Sequence, residues 1–266
     1  MLTTRFVGGA PNWLEVGSPD LEGAVDFYRG LFGWGFRSAG PEAGGYGFFQ
    51  LDGRTVAAGT RTAPDQGPPS WTAYFHSGDA QATAKAVEEA HGTVLTPPVD
   101  VLGQGHTAIL ADRAGVPFGI WQPGQLAGLD VFEVPGSLCW LELYSPDIAA
   151  AAGFFNAVLG WETSSVTYPD GIYTCVNPAG AGEGAMFGGL VPLADDPTEA
   201  GSDPYWLPYF EVTDTDATVA RARELGGTVR MEPMDLPDVG RIAKLADPYG
   251  ARFAVLKSAP PAPPTG

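Results

Sequence analysis

The sequence predicts an α+β fold of two tandem modules, each made of two βαβββ units whose curved mixed sheets form a cup with helices outside. Two observations predict it. The run Trp13-Leu14-Glu15-Val16-Gly17-Ser18-Pro19-Asp20 returns 127 residues later as Trp140-Leu141-Glu142-Leu143-Tyr144-Ser145-Pro146-Asp147. Each copy is followed by a helix-length stretch, Leu21 to Trp34 and Ile148 to Trp161, with an aromatic pair (Phe27-Tyr28, Phe154-Phe155) and a closing Gly-Trp. Self-similarity at a fixed offset marks a duplicated unit. Later landmarks recur at an offset of 135: Asp79 with Asp214, Asp112 with Asp247, Gly115 with Gly250, Phe118 with Phe253. About eight residues are therefore inserted in the second copy, and the glycine-rich Ala179 to Gly184 and the polar Ala194 to Asp203 are the places for them.

The elements follow in order. Trp13 to Val16 reads as a short strand, and Pro19-Asp20 opens a helix over Leu21 to Leu31 that Asp20 caps and Gly33 stops. Tyr46 to Leu51 and Thr55 to Gly59 form a hairpin across Asp52-Gly53, a two-residue turn signal. Trp71 to Phe75 is the next strand, Asp79 caps Ala80 to Ala90, and Thr93 to Leu95, Thr107 to Leu110 and Phe118 to Trp121 complete the module. The second copy repeats this order, with middle strands at Tyr173 to Val176 and Ala185 to Leu190, then Tyr209 to Val212 and a helix capped near Asp214. The expected boundaries are 7–125 and 137–257 for the modules, 126–136 for the linker, and 258–266 for a disordered Pro-rich tail.

Composition narrows the function. A net charge of −17 argues against a nucleic-acid backbone or an anionic membrane as partner. No apolar stretch reaches the ~20 residues that span a bilayer, and Met1 to Ala10 lacks a secretory pattern. The two cysteines, Cys139 and Cys175, sit in apolar strands, which fits a reducing cytoplasm.

The Ser-Pro-Asp helix start, the Phe-Tyr-x-x-x-Phe-Gly-Trp helix end, and the later Ala111-Asp112-Arg113-Ala114-Gly115 and Ala246-Asp247-Pro248-Tyr249-Gly250 resemble the vicinal oxygen chelate superfamily. That superfamily includes glyoxalase I, extradiol dioxygenases and bleomycin-type antibiotic-binding proteins. The resemblance runs from about residue 7 to 257 and is greatest to tandem actinobacterial forms known as Cfp30B-like antigens or hydroxylases, some encoded with anthracycline-type pathways. It implies a metal held by three strand positions per module. Here those positions are Trp13, Thr72 and Gly119, and Trp140, Leu207 and Ala254, none of which offers a carboxylate, imidazole or thiolate. No metal and no cofactor is expected.

Strand parity predicts what faces each cup. In the first these are Trp13, Glu15, Thr72, Tyr74, His76, Pro117 and Trp121. In the second they are Trp140, Glu142, Tyr144, Leu207, Tyr209, Glu211, Arg252 and Leu256. An aromatic concavity with few polar groups suits a flat conjugated small molecule. Trp13, Tyr74, His76, Trp121, Trp140, Tyr144, Tyr209, Glu211 and Arg252 are the candidate ligand contacts. Glu15 and Glu142, each two residues from its tryptophan, are candidate acid–base groups if burial raises their pKa. The bland alternative has the tryptophans plugging the sheet or packing between modules, and the glutamates solvated or paired with arginine. His91 reads as a helix-end residue and His106 matches Arg241; Gly180 to Gly184 lacks the lysine of a phosphate loop.

The reading that results is a metal-free protein, a monomer or homodimer, that binds a planar aromatic metabolite or antibiotic. The alternatives are a glyoxalase- or dioxygenase-like enzyme, working through Glu15 and Glu142 or through an unrecognised metal site, and a protein-binding module.

Overall fold

A computed structural model describes residues 2–168, 171–199 and 201–260. The first module comprises β1 (Pro11–Ser18), α1 (Leu21–Phe32), β2 (Gly35–Ser38), β3 (Gly47–Leu51) and β4 (Arg54–Arg61), then β5 (Ser70–His76), α2 (Ala80–Glu89), β6 (Thr93–Asp100), β7 (Gly105–Ala111) and β8 (Pro117–Pro123). The second repeats the order. Its first unit is β9 (Leu138–Ser145), α3 (Ile148–Leu159), β10 (Trp161–Tyr168), β11 (Gly171–Pro178) and β12 (Gly188–Pro192). Its second is β13 (Tyr205–Glu211), α4 (Thr215–Glu224), β14 (Thr228–Leu236), β15 (Gly240–Ala246) and β16 (Arg252–Ser258).

Each module is one eight-stranded mixed sheet, ordered β2-β3-β4-β1-β5-β8-β7-β6 and β10-β11-β12-β9-β13-β16-β15-β14. The two βαβββ units of a module thus pair with each other, through an antiparallel β1–β5 or β9–β13 junction at the centre. The second copy's insertion is split. The offset is 127 at Phe48 and Cys175, 131 at Ala58 and Gly189, and 135 at Ser70 and Tyr205, judged by strand partners. Both loops singled out in the sequence share it.

Local chemistry accounts for the elements. Each helix has an aspartate at its N-cap whose carboxyl accepts a backbone N–H three residues on, with Asp20, Asp79, Asp147 and Asp214 at 2.9–3.1 Å. Gly33 and Gly160 close α1 and α3 in the left-handed conformation, at φ 73° and 71°. The β3–β4 turn falls on Asp52 and Gly53, both at positive φ. The Asp-x-x-Gly turns are built on buried carboxyls: Asp247 Oδ1 accepts from the N–H groups of Tyr249, Gly250 and Ala251, each at 2.9 Å.

Two strands of the sequence reading were left unplaced, β2 and β10. Both are edge strands with mostly exposed side chains, so no buried alternation announces them. Other strands run longer than read from the sequence: β6 reaches Asp100 rather than Leu95, through Pro97 and Pro98 in a ladder with register shifts, and β13 begins at Tyr205 rather than Tyr209, its pairing with β9 carrying through Pro208. Ala185 lies in a short 3-10 turn, and β12 starts only at Gly188. Of the Pro-rich tail, residues 261–266 lie outside the described residues.

The convex faces of the sheets meet in one shared core, so the two concave faces look away from each other. Phe75 of β5 packs 4.9 Å from Trp161 and 5.3 Å from Trp206 of the other module, while Trp71 and Trp34 approach Phe210 at 5.3 and 5.4 Å. The repeated Gly-Trp has a structural use. Trp34 Nε1 donates to Gly136 O, just before the second module, and Trp161 Nε1 donates to Gly9 O, just before the first, both at 2.8 Å. The helices pack across the same junction, α1 on α4 and α2 on α3. No helix among the described residues is long and apolar enough to cross a membrane.

Candidate functional site in the two concave faces

In β1 the residues Asn12, Leu14 and Val16 are fully buried on the core side, which turns Trp13, Glu15 and Gly17 to the concave face. β9 does the same with Trp140, Glu142 and Tyr144. The junction partners add Tyr74, Thr72 and Ser70 opposite Trp13, Glu15 and Gly17, and Tyr209, Leu207 and Tyr205 opposite Trp140, Glu142 and Tyr144. The two floors are therefore equivalent position by position.

A shared aromatic–carboxyl arrangement occupies both floors. Trp13 Nε1 donates to the Tyr46 hydroxyl at 3.1 Å, and Trp140 Nε1 to the Tyr173 hydroxyl at 2.9 Å. Glu142 accepts hydrogen bonds from Tyr209 (2.7 Å), Tyr173 (2.8 Å) and Tyr144 (3.1 Å). Tyr46 and Tyr173 were missed by the sequence reading because the middle strands were not phased. The signal was present, since they stand 127 residues apart like the tryptophans they bond.

The second cup is filled by its own side chains. Tyr144 stacks on Tyr205, ring centroids 5.2 Å apart and 11° from parallel. Lys244, 3% exposed, donates to the Tyr144 hydroxyl at 2.6 Å and pairs with Asp196. Glu199, wholly buried, receives Arg230 at 2.8 Å and Arg252 at 3.1 Å. Asp196 and Glu199 both come from one of the two loops that share the insertion, and their ion pairs with Lys244, Arg230 and Arg252 bring them onto the cup. Burial pushes the Asp196 carboxyl up, but hydrogen bonds from Lys244 and Thr198 outweigh it and hold it below the usual range. Burial, reinforced by Glu142, keeps the Tyr173 and Tyr209 hydroxyls protonated far above the ordinary phenol value. Leu207, Tyr209, Ile242, Ala254 and Leu256 complete a small separate apolar cluster.

The first cup keeps the floor and lacks the filling. Tyr144, Tyr205, Lys244 and Arg252 correspond to Gly17, Ser70, Ile109 and Pro117. Glu15, Gly17 and Thr72 are partly exposed and Ser70 is exposed, whereas Glu142, Tyr144 and Leu207 are 8%, 2% and 1% exposed. Trp13 stacks on Trp121 at 6.4 Å and meets Phe48 edge-on at 6.0 Å, and Arg37 lies 4.5 Å above the Phe48 ring. Burial raises the Glu15 pKa to about 7, with the Tyr46 hydroxyl pulling the other way. Tyr74 makes no hydrogen bond with the described residues, and burial followed by the proximity of Glu15 keeps its hydroxyl protonated. This cup has a carboxyl near neutrality, an unengaged hydroxyl and aromatic walls.

The remaining candidates lie at the rims. His76 is level with Trp121 on β5, and its Nδ1 is buried without a hydrogen-bond partner among the described residues. Glu211 accepts from Ser258 N–H and Oγ at 3.0 and 2.6 Å at the sheet end. Arg252 is engaged by Glu199 and lies 4.7 Å from the Tyr205 ring. His106 and Arg241 point away from the cups; Arg241 pairs with Asp216 and Asp235. Two surface clefts, of about 400 Å³ along α1 and about 230 Å³ between Asp112–Ala114 and the start of α3, include no cup residue.

The positions where the fold family holds a metal do not fit one. Tyr74 lies across Gly119, so that even a Cβ there would fall 2.0 Å from its ring, and a glutamate at 119 would displace it. Indole, a threonine hydroxyl and glycine leave Glu15 as the one carboxylate on that floor among the described residues, short of the three or four donors a divalent ion takes. Among the described residues no group of three or more His, Cys, Asp and Glu side chains is placed to hold a metal.

This fold and these paired concave sites define a tandem vicinal-oxygen-chelate protein, and comparison with known proteins agrees. The family model of the Glyoxalase/Bleomycin resistance protein/Dioxygenase superfamily matches residues 10–120 and again 137–255, and the chain belongs to that superfamily. It is 41% identical to the anthracycline biosynthesis protein DauV of a Streptomyces species, over 96% of this chain and 95% of that one. It is 38% identical to the putative glyoxylase CFP32 of Mycobacterium bovis, over 97% and 98% of the two chains. Among solved structures, 2,2',3-trihydroxybiphenyl 1,2-dioxygenase from Sphingomonas wittichii superposes with a TM-score of 0.66 at 18% identity, covering 95% of this chain and 91% of that one, a likeness of fold.

Proposed function

We propose that this protein binds a planar aromatic metabolite in the first module's cup, without a metal, in the service of a biosynthetic pathway for such compounds. The observation that carries the reading is the difference between the cups: one floor is covered by the chain's own rings and ion pairs, while its twin is open beside Glu15. Trp13, Phe48 and Trp121 supply apolar faces, and Glu15 and Tyr74 supply polar contacts that fix orientation. The anthracycline relative, similar over nearly its whole length, supports an aromatic polycycle as the ligand class.

Tryptophan fluorescence during titration with a panel of planar aromatic metabolites tests this. The expected result is saturable quenching that Trp121→Leu, which copies Leu256 of the second cup, weakens at least tenfold while Trp140→Phe leaves it within about twofold. Quenching that is absent, or insensitive to Trp121→Leu, overturns the reading, and stoichiometric divalent metal in the purified protein overturns its metal-free part. A second reading is favoured by Glu15 itself. A carboxyl with a pKa near 7 in a cup open to ligand can exchange a proton with a bound hydroxyl or carbon acid. On that reading Glu15→Gln abolishes turnover and leaves binding largely intact.

A further inference from the structure

The second cup shows what the first is shaped to receive. Tyr144 is a phenol ring standing in a concave site, seated on a floor of Trp140, Tyr173, Glu142 and Tyr209, with its hydroxyl 3.1 Å from Glu142 Oε2. The first cup has the same four floor residues, Trp13, Tyr46, Glu15 and Tyr74, in the same register. At the place of the ring-bearing residue it has Gly17, and opposite that, in place of the stacking Tyr205, the exposed Ser70. The nearest atom to a Cβ built on Gly17 is the Thr62 methyl, at 2.8 Å, so the vacancy is bounded by a small side chain of a partly exposed residue.

We infer that the first cup takes a neutral phenol, its ring where the second cup seats Tyr144 and its hydroxyl donating to Glu15. The hydroxyl is specified as neutral by what is missing beside it. In the second cup Lys244 donates to the Tyr144 oxygen at 2.6 Å; the corresponding residue of the first cup is Ile109, and Arg37, in the same cross-strand row as Glu15, lies over Phe48. A phenolate would face a carboxyl with no cation between them, whereas a phenol supplies Glu15 with a further donor. Among the described residues Tyr46 is the one hydroxyl of the floor that acts on Glu15, while three lie within hydrogen-bond distance of Glu142. The inference rests on the aromatic-cup reading above and adds the functional group that the cup selects.

Equilibrium dialysis of the intact chain with 2-naphthol and with 2-methoxynaphthalene, near pH 8, separates the two statements. The ether keeps the ring and the oxygen and removes only the donor. Expected are one site per chain and about 10- to 100-fold tighter binding of 2-naphthol, the range for a hydrogen bond to a charged group. Glu15→Leu should bring the two ligands to within about threefold of each other. Gly17→Tyr combined with Thr62→Ala, which rebuilds the ring of the second cup and clears the methyl in its path, should abolish 2-naphthol binding with an unchanged far-ultraviolet circular dichroism spectrum. Equal binding of the two compounds to the wild type, or a preference that survives Glu15→Leu, overturns the phenol inference and leaves the aromatic cup standing. Retained 2-naphthol binding in the Gly17→Tyr, Thr62→Ala variant overturns the seat. Failure of both compounds to bind overturns the inference together with the aromatic-cup reading.

Discussion

The two cups carry one repeated sequence pattern and surround the same floor differently. In both, an indole bonds a tyrosine beside a strand glutamate, and in both the positions that the resemblance assigns to a metal carry no carboxylate, imidazole or thiolate. The second cup became a small interior. Its glutamate is tied to three hydroxyls, a lysine and two arginines are neutralised by Asp196 and Glu199, and an inserted segment supplies both acids. The first cup leaves Glu15, Gly17 and Thr72 partly exposed and Ser70 exposed, although Trp13, Tyr74 and Trp121 are buried, and its glutamate has fewer partners, with a pKa about 7. The second cup thus pairs most of its buried polar groups internally, the Tyr205 hydroxyl and Arg230 Nε being without a hydrogen-bond partner among the described residues, while the first leaves its glutamate with fewer.

The comparison breaks most readily at Glu142. Glu142→Ala leaves the buried Tyr173 and Tyr209 hydroxyls without their acceptor, while Tyr144 can donate to Asp196 at 3.1 Å, and should lower stability by about 3 kcal/mol in urea unfolding, against about 1 kcal/mol or less for Glu15→Ala. Equal losses would mean the first cup is as internally satisfied as the second. Next is Lys244→Met, which strips Asp196 and Tyr144 of their cation and should cost about 3 kcal/mol. If thermal unfolding is unmoved, the ion pair to the inserted loop does not stabilise the cup.

Glu15 sharpens the contrast through pH. Its folded pKa, about 7, lies above the ordinary 4.5, so between those values the native state binds more protons than the unfolded chain. Stability therefore falls as pH rises from about 4.5 to about 7, and the cost is fully present above 7. Glu15→Gln removes this titration. Relative to the wild type it should gain about 2 kcal/mol between pH 4 and pH 8, measured as the difference of denaturation midpoints at each pH. A difference that stays flat across that window would show Glu15 to be well solvated. The smallest expected effect is one the cups share. Trp13→Phe and Trp140→Phe each lose one indole hydrogen bond and should cost about 1 kcal/mol apiece; a large inequality between them would show that the floors are not equivalent.

Much of the architecture was legible in the chain. The repeat announced two modules, the four aspartate caps placed the helices, and period-2 alternation in β1 and β9 turned Trp13, Glu15, Trp140 and Glu142 to one face. What was illegible follows from where the signal is weak. β2 and β10 bury too little to show alternation. Tyr46, just before β3, and Tyr173, in β11, belong to segments whose phase the sequence left open, although their shared offset would have found them. Lys244, within Ile242-Ala243-Lys244-Leu245, looks like a misplaced surface cation until Asp196 is brought to it from 48 residues away.

By itself the sequence determined the duplication, the βαβββ units and the absence of metal donors at the family's positions, because these depend on residue type and short-range spacing. Tertiary structure alone decided that a module's two units pair with each other, that the convex faces share one core, and that one cup is closed while the other is open. Those outcomes depend on which side chains meet across strands and loops far apart in the chain, where packing and the pairing of buried charges, rather than local propensity, set the energy.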